Sequence, residues 1–257
     1  MKATLTVLGS GTSMGVPSIG CSCAVCRSTD PRDKRLRPSV LVQYGDHGVL
    51  IDSTPDFRTQ ALRESLRELD AVFYTHAHAD HILGLDDLRP ISYLHKPGKL
   101  PLYAKPDVVH FLRNTFSYIF DGHYRYGGLP QVELREIAGP VDIFGASFEP
   151  IPVMHGEMEI LGFRFGSAAY LTDHSEVPAA SKAKLQNLDI LFVDALRHTP
   201  HPTHSTVEKS LRLIEELKPR RAFFTHICHD LSHVETEATL PANVRLAYDG
   251  LKLEFEI

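Results

Sequence analysis

Short apolar runs rich in β-branched and aromatic residues recur along the chain, at 4–8, 40–44, 49–52, 71–75, 148–153, 160–165, 168–172, 190–193, 222–225 and 252–257. Runs of this length, bounded by turn residues, read as strands. Gly45-Asp46-His47-Gly48 and Asp249-Gly250 mark two of the turns. Helical periodicity lies between. Phe57, Ala61, Leu62, Leu66 and Leu69 share one helical face behind Pro55. Ser205 and Glu208 have the spacing of a capping box, ahead of a stripe of Val207, Leu211, Ile214 and Leu217. The stretch 105–120 reads as a third helix, and the aperiodic, tyrosine- and glycine-rich 120–128 as a loop bordering a site. Strands mixed with amphipathic helices of this size point to an α/β chain, its sheets covered by helices on one face each.

The polar residues that interrupt this pattern carry the chemistry. Directly after the run 71–74 comes Thr75-His76-Ala77-His78-Ala79-Asp80-His81, with three imidazoles and a carboxylate in six residues. Neutral imidazole ligates zinc, iron and manganese, and carboxylate suits the harder ions of that set. A strand ending in such a loop turns His76 and His78 one way and Asp80 and His81 toward a second centre. Four donors here exceed what one tetrahedral ion with an open water position takes, so two ions are expected. His155, Asp173, Asp194 and His226 each follow another apolar run. A single histidine at a strand end is more often a hydrogen-bonded structural residue, but strands of one sheet can bring several such ends to one point. Cys21, Cys23 and Cys26 form a separate cluster, too close together for a useful disulfide framework. Three thiolates leave one position open for a closed tetrahedral zinc, and chemistry alone leaves Cys228 and His229 as equal candidates for it.

Composition narrows the class. The 257 residues allow one large domain or two small ones, and burial of roughly 70–75% of the unfolded surface. With 43% hydrophobic and 23% charged residues, the balance is that of a soluble globular protein. A net charge of −5 argues against a dedicated nucleic-acid binder. The local exception, Arg32, Lys34, Arg35 and Arg37, reads as a solvated loop or a phosphate grip, the loop being the commoner outcome. Gly9 is reached before any apolar stretch long enough for a signal peptide and no segment is long enough to span a bilayer, so the cytoplasm is the expected compartment.

Together, H-x-H-x-D-H at 76–81, then His155, Asp173 and His226, resemble the ligand series of the metallo-β-lactamase fold hydrolases. Leu8-Gly9-Ser10-Gly11-Thr12-Ser13, Val16-Pro17, the cysteine cluster and Thr225-His226-Ile227-Cys228-His229 resemble the PhnP-like phosphodiesterase branch. The resemblance runs from residue 4 to about 233, with 90–139 unmatched and His174 unassigned. It implies a four-layer αββα sandwich: one domain over 1–257, with a zinc-ribbon-like insertion at about 17–37. His76, His78 and His155 would hold one ion, Asp80, His81 and His226 the other, with Asp173 bridging. The structural zinc would take Cys21, Cys23, Cys26 and His229. His204 would be the general acid, Asp80 would orient the nucleophile, and Asp52 would support the metal loop. The implied activity is hydrolysis of small or cyclic phosphodiesters by a metal-bridged hydroxide. Its cofactors would be two divalent ions (zinc or manganese, with iron a further candidate) beside one structural zinc, and the protein would form a homodimer. The rivals are a thioesterase or lactonase of the same fold, an RNA-processing nuclease, and a non-catalytic accessory or carrier protein. A membrane partner is not expected.

Overall fold

The computed structural model describes residues 1–123 and 127–257. The loop expected at 120–128 therefore lies partly outside the described residues. The first half of the chain gives β1 (Lys2–Gly9), α1 (Ala24–Arg27), β2 (Ser39–Tyr44), β3 (His47–Ile51), α2 (Phe57–Arg63), β4 (Ala71–Phe73), α3 (Ala79–Ile82), α4 (Arg89–Leu94), β5 (Leu100–Ala104), α5 (Pro106–Thr115), α6 (Ser117–Phe120) and β6 (Val132–Glu136). The second gives β7 (Val141–Ile143), β8 (Ala146–His155), β9 (Met158–Phe165), β10 (Ala168–Leu171), α7 (Ala179–Ala183), β11 (Ile190–Asp194), α8 (Val207–Leu217), β12 (Arg221–Thr225), α9 (His233–Glu237), β13 (Val244–Leu246) and β14 (Lys252–Glu256). The strands form two seven-stranded sheets, β14-β1-β2-β3-β4-β5-β6 and β13-β12-β11-β10-β9-β8-β7.

Period-two alternation sorts each strand's side chains between two faces. Leu5, Val7, Val40, Val42, Val49, Ile51 and Phe73 of the first sheet meet Phe148, Phe163, Phe165, Tyr170, Ile190 and Phe192 of the second in one core. Phe73 stacks on Phe148 at 5.1 Å between ring centroids and meets the Phe163 ring edge-on at 5.2 Å. The intervening Leu8, Leu41, Leu50 and Val72 face outward, under Phe57, Ile91, Val109 and Leu112 of α2, α4 and α5. On the far side Leu171, Leu191, Val193 and Phe224 lie under Leu213, Ile214 and Leu217 of α8. The layers are thus helix, sheet, sheet, helix, as the resemblance implied. Among the described residues no helix is long and apolar enough to cross a membrane.

Several expectations need correction. The expected helix from Phe57 ends at Arg63, because Ser65 turns left-handed with φ 54°. Leu62 points to solvent, while Leu66 and Leu69 still reach the core from the loop. The expected helix 105–120 breaks at Phe116, with φ −109° and ψ 41°. The cap of α8 is Thr206, not Ser205: its hydroxyl accepts from Lys209 N at 3.2 Å. The hairpin turn shrinks to Gly45-Asp46, since His47 and Gly48 already pair with Tyr44 and Gln43. Strands β5, β6, β7 and β13 were not read from the sequence. In β5, Pro101 argues against a strand, but pairing with β4 begins only at Leu102. The basic run is no solvated loop either. Arg32 pairs with Asp30 and Arg37 with Asp56, Lys34 donates to Cys26 O, and Arg35 is wholly buried.

Candidate metal centre

Strands of both sheets end at one edge, and their ends carry the site. β4 leads into the loop bearing His76 and His78, and α3, begun by His78, carries Asp80 and His81. β8 ends in His155 and β11 in Asp194; Asp173 lies just past β10, and Asp52 and His226 directly follow β3 and β12. The open end of an α/β sheet is the usual place for a ligand. At Asp52, Asp173 and His226 the backbone is left-handed, with φ of 65, 54 and 56°. Asp and His visit that region more readily than most residues, yet each visit costs about 1–3 kcal/mol and persists where the surroundings enforce it.

Among the described residues five groups of donor atoms lie within 4.8 Å of one another: His76, His78 and His155; Asp80, His81, Asp173 and His226; Cys21, Cys23, Cys26 and His229; and two that overlap the first pair, His155, Asp173 and His204, and Asp194, His204 and His226. Asp173 stands between the first two. Its Oδ2 is 3.2 Å from His226 Nε2 and 3.8 Å from His76 Nε2, and its Oδ1 is 3.3 Å from His81 Nε2. Asp80 Oδ2 lies 3.3 Å from His81 Nε2 and 3.6 Å from His226 Nε2. Asp80 Oδ2, His81 Nε2 and His226 Nε2 are buried without a hydrogen-bond partner among the described residues. Unpartnered buried polar atoms are costly, and a group of them converging on one point fits a cation that would satisfy them together. Imidazole with carboxylate is also the right donor chemistry for a divalent transition ion.

Electrostatics divides the site. Burial works against the charge on Asp80 and Asp173, but His81 and His226 hold both carboxyls well below the usual range. Burial likewise works against His81 and His226, but the carboxylates, Asp173 foremost, hold His81 well above its ordinary value and His226 at about 9. At His76, His78 and His155 burial wins, and all three are lowered. The carboxylate-rich side thus favours positive charge, which either protons on His81 and His226 or a cation in their place would supply, while His76, His78 and His155 favour the neutral form that ligates.

A second layer of contacts fixes which ring nitrogen faces the centre. Asp52 Oδ2 lies 2.7 Å from His81 Nδ1, and Asp52 accepts from Thr75 N and Thr75 Oγ1, each at 2.9 Å. Thr75 Oγ1 is also 3.0 Å from His76 Nδ1. His155 Nδ1 donates to Thr203 O at 2.8 Å. Engaging Nδ1 leaves Nε2 free for a metal. Thr75 and Thr203 were missed in the sequence, although Thr75 adjoins the histidine motif and Thr203 precedes His204.

His204 sits beside this cluster. Its ring lies 4.7 Å from that of His155 and 4.6 Å from that of His226, and its Nδ1 is 2.6 Å from Asp194 Oδ2. The geometry therefore makes Asp194 the partner of His204. Burial pushes Asp194 well up, and burial, then His226, brings His204 down to about 4. His201 is 5.0 Å away, ring to ring. His233 is buried elsewhere, against Tyr248 and Glu237. His174 is buried at the wall of a cavity of about 240 Å³ shared with Ser205 and Lys209.

In the third set, the sulfurs of Cys21, Cys23 and Cys26 lie 3.2, 3.5 and 3.4 Å from His229 Nδ1. Zinc–sulfur and zinc–nitrogen bonds at tetrahedral angles would separate such atoms by roughly 3.5 Å. The backbone N–H of Cys26 holds the Cys23 thiol down to about 6, toward the thiolate that ligates. Cys228 lies outside this set, its sulfur accepting from Asp230 N at 3.4 Å.

A family model described as the beta-lactamase superfamily domain matches residues 47–227. A crystal structure described as that of a new diphosphatase from the PhnP family is 58% identical, covering 99% of this chain and 98% of that one, with a TM-score of 0.94. An octanoyltransferase from Porphyromonas gingivalis is 40% identical over 252 residues, which are 96% of this chain and 50% of that protein. This chain therefore spans half the length of that relative. A zinc-bound PqqB from Methylobacterium extorquens shares the fold at 21% identity, with a TM-score of 0.75 over 97% of this chain and 99% of that one.

Proposed function

Because this chain belongs to the beta-lactamase superfamily and, within it, to the PhnP family, we propose that it is a metal-dependent hydrolase of small phosphodiesters. The observation that carries this reading is the His204–Asp194 pair at 2.6 Å beside the donor cluster. A phosphodiester's leaving alkoxide is strongly basic and needs a proton, which a positioned imidazole supplies. His76, His78 and His155 would hold one ion, Asp80, His81 and His226 the other, with Asp173 contacting both. Two divalent ions there would supply a nucleophile at neutral pH and offset charge on the phosphoryl oxygens.

The chain's own residues do the rest. Asp52 and Thr75 hold the His81 and His76 rings by Nδ1, and Thr203 O holds His155. Asp80 would accept a hydrogen bond from the attacking water and so orient it. His204 would deliver the proton from Nε2 while Asp194 steadies Nδ1. Cys21, Cys23, Cys26 and His229 would hold a structural zinc with no open position.

The diphosphatase relative supports a second reading, hydrolysis of a phosphoanhydride, whose phosphate leaving group is less basic. Acyl hydrolysis draws on the octanoyltransferase name, but that name belongs to a protein twice as long. Purified protein loaded with zinc or manganese should be assayed on an alkyl phosphodiester, a nitrophenyl phosphodiester, a diphosphate and a thioester. His204→Ala should cost about 10²–10⁴-fold on the alkyl diester, much less on the nitrophenyl one, and leave both ions bound. Equal losses on the two diesters, or loss of an ion, would make His204 a binding residue or ligand. Faster turnover of the diphosphate would move the assignment to anhydrides.

A further inference from the structure

Arg35 belongs to no donor set, yet its side chain is 0% exposed. Its guanidinium donates from Nη1 to Cys228 O at 2.8 Å and from Nη2 to Leu231 O at 2.7 Å and Asp33 Oδ1 at 2.9 Å. Nε reaches Arg32 O at 3.3 Å. The same Asp33 oxygen accepts from His233 N at 2.9 Å. The segment thus gripped, 227–233, begins directly after His226 and contains His229. Its backbone is also tied by Ile227 N to Ser10 O at 2.9 Å and Cys228 N to Leu196 O at 3.1 Å, and His229 meets the three cysteines. Arg35 is itself anchored by paired backbone bonds with Val16, at 2.7 and 2.8 Å.

A buried guanidinium is retained only where its donors are met, and its planar fork fixes the groups it holds. Here the fork spans two carbonyls of one short loop. That loop carries His226 to the carboxylate-rich set and His229 to the cysteine set. His226 is also left-handed, a conformation its surroundings must enforce. We propose that Arg35 is a positioning residue whose fork sets the 227–231 backbone, aims His226 into the second catalytic ion site, and couples that site to the cysteine–histidine site. This rests on the metal assignment above and is independent of the substrate.

The test is metal affinity, read by equilibrium dialysis of the full-length protein with zinc and with manganese. Arg35→Met should weaken one catalytic ion about 10–100-fold, as loss of an outer-layer partner does, and leave the His76/His78/His155 ion within about threefold. Arg35→Lys should fall between, since one ammonium cannot reproduce the fork. Asp33→Asn keeps the arginine and should shift the same ion in the same direction by less, and it serves if Arg35→Met does not fold. Leu217→Ala, which destabilises the far face of the second sheet, should leave both affinities unchanged. Equal weakening of both catalytic ions, or of neither, would overturn the inference. If the wild-type protein bound no ion at all, the metal assignment itself would fall, and the coupling with it.

Discussion

Asp249 lies away from the metal donors and carries a titration of its own. It accepts from Ser10 N, Ser10 Oγ and Leu36 N at 2.8–2.9 Å, tying the end of β1 and the segment before β2 to the turn that precedes β14. Burial pushes its carboxyl up to about 6 despite these donors. A carboxyl raised on folding stabilises the fold while protonated. That contribution is complete below about pH 4 and is lost as the pH rises through about 6. Asp249→Asn has no such proton to lose. Its stability relative to wild type should therefore improve between pH 4 and pH 7, by on the order of 3 kcal/mol. Urea melts at the two pH values measure this, and metal loss at low pH is common to both proteins. A difference that stays constant with pH would mean that Asp249 titrates normally.

Elements show where the sequence was readable. Strands such as β2, β3 and β11 announce themselves through β-branched runs buried on both faces. β6 (VELRE) and β13 (VRL) lie at sheet edges, have one partner each, and carry exposed charges, so no run marks them. The candidate donors stand out in the sequence because four of them form one local motif at 76–81 and His155, Asp173 and His226 sit where apolar runs stop. Arg35 was not, because its partners lie 193 and 196 positions away and a charge in a basic run looks solvated. The cap of α8 was misplaced by one residue for a similar reason. Ser205 and Thr206 are both good capping types, but Ser205 O accepts from Leu196 N, which holds Ser205 in the preceding loop. Thr206→Ala should then cost about 1 kcal/mol in a urea melt, and Ser205→Gly should leave the cap bond intact. If removing the Thr206 hydroxyl cost nothing, the cap would contribute no stability.

Across the whole molecule, the three donor sets assigned to ions each draw on both halves of the chain. His76 and His78 come from the first and His155 from the second; Asp80 and His81 from the first, Asp173 and His226 from the second. The cysteines lie between β1 and β2, and His229 follows β12. The sets differ in closure, since a thiolate site with four protein donors has no position for water whereas a catalytic pair must keep one. Dialysis against a mild chelator should abolish hydrolysis while about one zinc per chain remains by metal analysis. Joint loss of all the metal, with unfolding, would show that the sites are not distinct. The straddling arrangement also governs where the chain can change length. A one-residue slip between the halves, about 3.3 Å along a strand, would misalign all three centres together. Segments that bridge the halves are therefore intolerant of insertion. The stretch between β5 and β6 supplies none of these donors and rejoins the edge of a single sheet. Apart from α5, whose Val109 and Leu112 cover the first sheet, it should therefore tolerate changes of length that the bridging segments do not.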